Sequence, residues 1–317
     1  MRDPVTLITG ANGQIGKELT KALRNLYGTD SVICTDLKPD PNPEGPFEIL
    51  DIKDIDKMRQ LIGDYKVTHI YHLAALLSSK GEQNPQLTWS INFDAYLRLL
   101  HLAVELKIER LFFPSTIGIY GPTTPKVNTP QYGSFLPSTV YGISKLTGEM
   151  WGQYFRDRYG LDVRSIRYPG VISYQTIPSG GTTDYAVEMF FEALDKGEYT
   201  SYLKPDTRLP MVYMPDVING TLQLMRAPID NVSIASGYNL SAFSLTPAIL
   251  HEAIKSHIPD FRINYVPDHR QAIAESWTET IDDSLARSDW GWAPEYDMTS
   301  MVRDMLSNIR IQQKQIS

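Results

Sequence analysis

Tyr141-Gly142-Ile143-Ser144-Lys145 sets a phenol and an amine four positions apart. On a helix, positions i and i+4 share one face, so both groups point to one place. A free phenol, with a pKa of about 10, is a poor base near neutrality. Neighbouring positive charge, such as the ammonium, favours the phenolate and lowers that value. Such a pair can take the proton from an alcohol as a hydride leaves the adjacent carbon, if another group accepts the hydride. A surface tyrosine near a solvated lysine is the ordinary explanation of this spacing. Here it follows an apolar run, Arg110-Leu111-Phe112-Phe113, that ends in Pro114-Ser115-Thr116. A hydroxyl at such a strand end can hold and orient the reacting oxygen. Tyr141, Lys145, Thr116 and Ser115 are therefore the candidate catalytic residues.

The hydride acceptor has a place to bind earlier in the chain. Val5 to Thr9 reads as a buried strand, followed by Gly10-Ala11-Asn12-Gly13-Gln14-Ile15-Gly16 and a helix with Ile15, Leu19, Leu23 and Leu26 on one face. Glycines spaced G-x-x-G-x-x-G permit a tight turn, close approach of a pyrophosphate and close helix packing. The free N–H groups of the helix start, at Gln14, Ile15 and Gly16, would meet the phosphates. A second strand, Ser31 to Thr35, ends at Asp36, which lies 20 residues beyond Gly16. A carboxylate there accepts from both ribose hydroxyls and repels a 2′-phosphate, which selects NAD over NADP. Lys38 softens that preference, and a solvated loop aspartate is the plainer reading of Asp36. Phe47 to Leu50 leads to Asp51-Ile52, where an acid can meet the adenine. His69 to Leu73 is a further strand, ending in the small residues Ala74-Ala75. His72 has no Cys, Asp or second His at ligand spacing and reads as structural, so no metal is expected. Asn92 precedes an amphipathic helix, Phe93 to Lys107, and reads as its cap rather than as a site-organising amide.

The elements that must position these groups alternate between strand and helix, which predicts an α/β fold. The 317 residues are 42% hydrophobic and 21% charged, enough for a large core. A net charge of -7 and no basic cluster argue against nucleic acid as a partner. No apolar stretch is long enough to span a membrane, and the chain opens on a buried strand with no signal segment. A single cysteine, Cys34, excludes an intrachain disulfide. A cytoplasmic location is expected, or the mitochondrial matrix after processing. Residues 1–168 read as the nucleotide domain, with 212–235 returning to it. Residues 169–211 and 236–317 read as a smaller lobe. In that lobe Thr183 to Gly197, Ser244 to His257 and Ile281 to Asp289 read as helices, and Met211 to Tyr213 as a strand before a helix from Asp216 to Met225. Asp282-Asp283-Ser284 suits a helix N-terminus better than a metal. Trp290-Gly291-Trp292-Ala293-Pro294 reads as a helix stop and surface anchor, and Gln312 to Ser317 as a frayed end.

Together, the glycine turn, His72-Leu73-Ala74-Ala75, Asn92, Ser115-Thr116 and Tyr141-x-x-x-Lys145 resemble the extended short-chain dehydrogenase/reductase superfamily. The resemblance implies a Rossmann-like, doubly wound parallel sheet of about seven strands with a smaller C-terminal substrate lobe. It implies NAD held by Gly10, Gly13, Gln14, Ile15, Gly16, Asp36, Asp51, Ile52, Leu73, Ala74, Ala75, Asn92, Tyr141, Lys145 and Tyr168. It also implies a homodimer built on the helices starting near Phe93 and Tyr141.

Within that superfamily, nucleotide-sugar epimerases usually carry an Asn and a Tyr-Gly-Pro where this chain has Arg167-Tyr168-Pro169-Gly170-Val171-Ile172-Ser173. That segment, Gly180-Gly181-Thr182-Thr183-Asp184-Tyr185-Ala186, Pro114 to Pro122, Leu209 to Asp216 and Glu275-Ser276-Trp277 resemble the short-chain L-threonine 3-dehydrogenases. The family likeness implies a pocket for L-threonine lined by Ser78, Thr116, Tyr141, Thr182, Thr183, Asp184 and Trp277. It implies oxidation to L-2-amino-3-oxobutyrate and a CoA-dependent ligase to capture that product. A loop leading into a capped helix is the plainer reading of 182–184, and a core residue that of Trp277. An epimerase, or a non-catalytic NAD(H) sensor, is the competing expectation.

Overall fold

A computed structural model of the chain describes residues 3–175 and 181–316; Gly180 lies outside them. The first half alternates as the hydrophobic pattern predicts: β1 (Thr6–Thr9), α1 (Gln14–Tyr27), β2 (Val32–Asp36), β3 (Phe47–Ile49), α2 (Ile55–Tyr65), β4 (His69–His72), α3 (Ser78–Gly81), α4 (Pro85–Trp89), α5 (Ala95–Glu105), β5 (Arg110–Thr116), α6 (Val140–Tyr159) and β6 (Asp162–Tyr168). The second half runs β7 (Gly170–Ile172), α7 (Tyr185–Asp195), β8 (Glu198–Ser201), β9 (Leu209–Tyr213), α8 (Met214–Arg226), β10 (Tyr238–Asn239), β11 (Phe243–Leu245), α9 (Pro247–Lys255), β12 (Arg262–Tyr265), α10 (Arg270–Ser276), α11 (Ser284–Trp290) and α12 (Met298–Ile316).

Seven strands form one sheet in the order β10-β6-β5-β4-β1-β2-β3, and each pairing is parallel. Successive residues on a strand face opposite sides. Leu7, Ile33, Ile70, Leu111 and Phe113 pack with α2, α5 and α6. Ile8, Cys34, Tyr71 and Phe112 pack with α1, α8 and α11. Burial on both faces is why these strands read as unbroken apolar runs. The chain reverses its direction of winding between β1 and β4, so the crevice at their carboxyl ends is where a ligand fits. Cys34 lies buried in β2, with Sγ 3.3 Å from the Thr20 hydroxyl.

A third core surrounds α7, β9, α9 and α12. A three-stranded sheet, β11-β9-β7, joins it to the end of β6. Among the described residues, no helix is long and apolar enough to cross a membrane.

The structure differs from the sequence reading at several places in this half. Tyr238-Asn239, expected in the substrate lobe, pairs with Ile166-Arg167 and edges the large sheet. Ser244 to His257 is not one helix, because Phe243 to Leu245 pairs with β9 and the helix starts at Pro247. The Thr246 hydroxyl caps that start, accepting from Ile249 N at 3.2 Å, and proline suits the first turn. The helix expected from Ile281 begins at Ser284. Trp292 is no surface anchor: it is 2% exposed, and its indole N–H donates to Asp283. The chain end is not frayed from Gln312, since α12 continues to Ile316. Met301, Val302, Met305, Leu306 and Ile309 bury one face of it.

Candidate active site

The β1–α1 turn is shaped first by the chain's own packing. Gly10 has φ +72°, and a Cβ there would lie 2.7 Å from Ala74 N. A Cβ on Gly16 would lie 2.4 Å from Gly10 O. Gly13 is the least crowded of the three, since a Cβ there would meet only the Gly10 carbonyl, at 3.1 Å, and no side chain caps the helix it precedes. The first N–H groups of α1 therefore face a cavity of about 500 Å³ lined by Gly10, Gly13, Gln14, Ile15 and Gly16. Asp36 holds the same turn from β2, accepting from Asn12 N at 3.0 Å and Leu37 N at 2.8 Å.

The far end of this cavity is built by β5 and α6. Thr139 caps α6 through Gly142 N, and Glu82 accepts from Val140 N, which ties α3 to the same helix start. A Cβ on Gly142 would lie 2.1 Å from Gly118 O, so the glycine after Tyr141 lets α6 begin against the β5 end. Tyr141, Thr116 and Lys145 converge on the cavity wall. Thr116 Oγ1 accepts from Gly118 N at 3.1 Å, and its hydroxyl pulls the Tyr141 pKa down. Lys145 Nζ donates to Pro114 O at 2.8 Å and lies 5.9 Å from the Tyr141 ring centre.

The protein's own groups raise the phenol, whereas the expectation of a lowered value counts the positive nicotinamide as well as the ammonium. Burial pushes Tyr141 up to about 12, against the pull of the Thr116 hydroxyl. Burial alone pushes Lys145 down to about 7. Desolvation dominates at the phenol, and it also disfavours the ammonium form of Lys145. A further positive charge beside the ring is what would favour the phenolate.

Several sequence-derived candidates sit elsewhere than expected. Ser115 lines the cavity, but its hydroxyl donates to Glu149 at 2.5 Å, which leaves Thr116 as the hydroxyl beside Tyr141. Asn92 caps no helix. It lies inside a π-turn, accepts from Leu76 N at 2.8 Å and donates to Leu76 O at 2.9 Å, and so fixes the loop after β4. Asn92 itself does not line the cavity, whereas Leu73 and Ala75 do and Ala74 packs on Gly10. Asp36, Asp51 and Ile52 are also outside the cavity wall: Asp36 holds the β1–α1 turn, Asp51 accepts from Lys53 N, and Ile52 is core under α2. His72 is buried, paired through Nδ1 with the Thr9 hydroxyl at 2.9 Å and pushed down to about 3.

The end of β6 adds Tyr168, and the second half closes the cavity with Thr182, Thr183, Asp184 and Trp277; Ser78 lines it too. Tyr168 shares its hydroxyl with Thr221. The Thr182 hydroxyl is buried without a hydrogen-bond partner, as suits a group that meets a ligand. Asp184 Oδ2 accepts from Gly181 N at 2.7 Å. Trp277 is 6% exposed. Sequence reasoning missed Lys80, Asn12, Leu76, Val171 and Val187, which also line the cavity. Of these only Lys80, two residues past Ser78, carries a charge that could have signalled it.

Among known proteins, the NAD dependent epimerase/dehydratase family matches residues 6–239. An uncharacterized epimerase/dehydratase of Staphylococcus aureus (strain MRSA252) is 45% identical over 308 residues, 96% of each chain. Among solved structures, the holo form of a GalE-like L-threonine dehydrogenase from Cupriavidus necator is 47% identical, with a TM-score of 0.95 over 96% of this chain and 100% of that one. A monomeric L-threonine 3-dehydrogenase from a metagenome database, in apo form, is 45% identical, with a TM-score of 0.94 over 97% of this chain and 99% of that one.

Proposed function

The chain belongs to the NAD-dependent epimerase/dehydratase family, and from that premise we propose that it oxidises L-threonine at its secondary alcohol to L-2-amino-3-oxobutyrate, with Tyr141 as general base. It is an NAD-dependent oxidoreductase. The substrate assignment draws on the whole-length likeness to L-threonine dehydrogenases. The observation that carries it is one cavity in which Tyr141, Thr116 and Lys145 face Ser78, the unpartnered Thr182 hydroxyl and Asp184.

NAD fits the residues present. The uncapped start of α1 at Gly13 would take the pyrophosphate. Asp36 would take the ribose hydroxyls, and Lys145 the nicotinamide ribose. The bound nicotinamide supplies the hydride acceptor and a positive charge. The protein's own groups do the rest. Thr116 donates to the reacting oxygen and orients it. Tyr141 accepts the hydroxyl proton. Ser78 and Thr182 supply hydroxyl donors for the carboxylate, and Asp184 an acceptor for the ammonium. Thr183 lines the same wall, and Trp277 covers the pocket and excludes water.

The product is a β-keto acid prone to lose CO₂, so a CoA-dependent ligase that consumes it is the expected partner activity. A second copy of the chain would cover the exposed Ile143, Met150 and Tyr154 of α6, which light scattering on a sizing column tests directly.

Absorbance at the NADH band tests the reaction, with NAD⁺ or NADP⁺ and L-threonine beside D-threonine, L-allo-threonine and L-serine. Signal with L-threonine and NAD⁺ alone is the expected result. Silence with every amino acid, from protein that binds NAD, would sink the substrate assignment.

A further inference from the structure

Glu149 and Arg167 form a buried ion pair that the proposed chemistry does not use. Their side chains are 1% and 2% exposed. Arg167 Nη2 meets Glu149 Oε2 at 2.8 Å, and Nε meets Oε1 at 3.0 Å. Burying such a pair gives little net stability, because desolvation cancels most of the attraction. Its value to the fold lies in what it orients.

The pair touches each wall of the reacting end. Glu149 stands four residues after Lys145, on the same face of α6. Lys145 grips Pro114 O at 2.8 Å, and Glu149 grips the Ser115 hydroxyl at 2.5 Å. Two polar contacts from one helix face thus meet two successive residues of β5, immediately before Thr116. They fix the register of α6 along β5, and Tyr141 rides on that register. Arg167 extends the hold to the opposite side. Its Nη1 donates to Gln131 O at 2.7 Å and Asn239 Oδ1 at 3.0 Å. Asn239 donates in turn to Thr129 O, and the Thr129 hydroxyl meets that of Thr278, the neighbour of Trp277.

We propose that Glu149, held by Arg167, is a positioning residue for the Tyr141–Thr116 pair, and that the same network seats the Trp277 segment over it. The inference rests on Tyr141 as the base. A simple structural role would lower stability and leave the chemistry of the folded fraction intact. A positioning role alters the chemistry itself.

The test compares wild type with Glu149→Gln and with the double variant Glu149→Gln/Arg167→Gln, which leaves no unpaired buried charge. The measurements are kcat, the pH profile of kcat/KM, the Kd for NAD⁺, the Tm and the crystal structure. In the folded double variant kcat falls about 10- to 100-fold, the loss expected of an ångström-scale misplacement. The pH profile moves to the alkaline side as Thr116 loses its grip on the phenolate, while NAD⁺ affinity is kept. The structure shows Tyr141 and Thr116 drawn apart. Wild-type kcat and pH profile in the folded double variant, or an undisturbed Tyr141–Thr116 contact in its crystal structure, overturns the proposal. Wild type inert toward L-threonine sinks the substrate assignment instead, and the crystal comparison still decides the positioning role.

Discussion

Tyr141 carries the sharpest consequences at the scale of single residues. Its phenol is held at about 12 by burial, so base catalysis strengthens as pH rises toward its working value, and kcat/KM should climb with pH through the neutral range. Tyr141→Phe removes the proton acceptor. It is expected to cost about 10²–10⁴-fold in kcat while NAD⁺ binding, read by titration, stays near wild type. Lys145 makes a second prediction, on stability. Its folded value of about 7 lies below its ordinary 10.5. Between those values the unfolded chain holds a proton that the folded chain lacks, so stability rises with pH across that window. Tyr141 acts oppositely between 10 and about 12, where the folded chain keeps the extra proton and stability falls. Lys145→Met should flatten the rise of Tm between about pH 7 and 9; a slope equal to wild type would show that Lys145 is not its source. Both residues were legible in sequence because an i, i+4 pair needs only a helix. The direction of the tyrosine's shift was not, because burial depends on what packs around it. Asn92 and Ser115 were misjudged for a related reason: an amide or hydroxyl has several partners within reach, and only the fold selects Leu76 for one and Glu149 for the other.

The elements that hold these residues meet at glycines. The start of α6 lies so close to the β5 end that a Cβ on Gly142 would sit 2.1 Å from a backbone oxygen. Neither partner can yield without moving Tyr141 or Thr116. Gly142→Ala is expected to cost about 1–3 kcal/mol of stability, measured by denaturant midpoint, with a fall in kcat larger than any change in NAD⁺ affinity. Equal loss of both would place the disturbance in the nucleotide end instead. The strands and helices of the first half were readable because each face of the sheet is buried and the glycine turn marks the first crossover. The second half was less so. β11 pairs antiparallel with β9 over only three residues, too short for a period to register. The α12 face shows a clear apolar stripe, but polar residues at the chain end favoured reading it as frayed. Trp292 looked like a surface residue beside Pro294 until α8 and Asp283 enclosed it.

At the scale of the molecule, the cavity runs from the start of α1 to Trp277 and so touches both halves. A ligand that binds only the folded chain stabilises it by mass action. NAD⁺ at 100 times its Kd should add about 2.7 kcal/mol, a shift of several degrees in Tm. NADP⁺ at the same concentration should shift Tm less, because a carboxylate at Asp36 would repel the extra phosphate. Asp36→Ala should narrow that difference, while weakening NAD⁺ binding too, since Asp36 also holds Asn12 N. Equal shifts by both cofactors in wild type would remove Asp36 as the selector.

The lone cysteine has a use beyond packing. Cys34 is 2% exposed in β2, one strand from the sheet edge, and burial raises its thiol above the ordinary value. A thiol reagent reaches it only when β2 comes away from α1. With one cysteine in 317 residues, the labelling rate of untouched native protein is a clock for that opening, free of any competing site. Slowing of the clock by NAD⁺ would measure, in the same units of free energy, how firmly the ligand holds the nucleotide half closed.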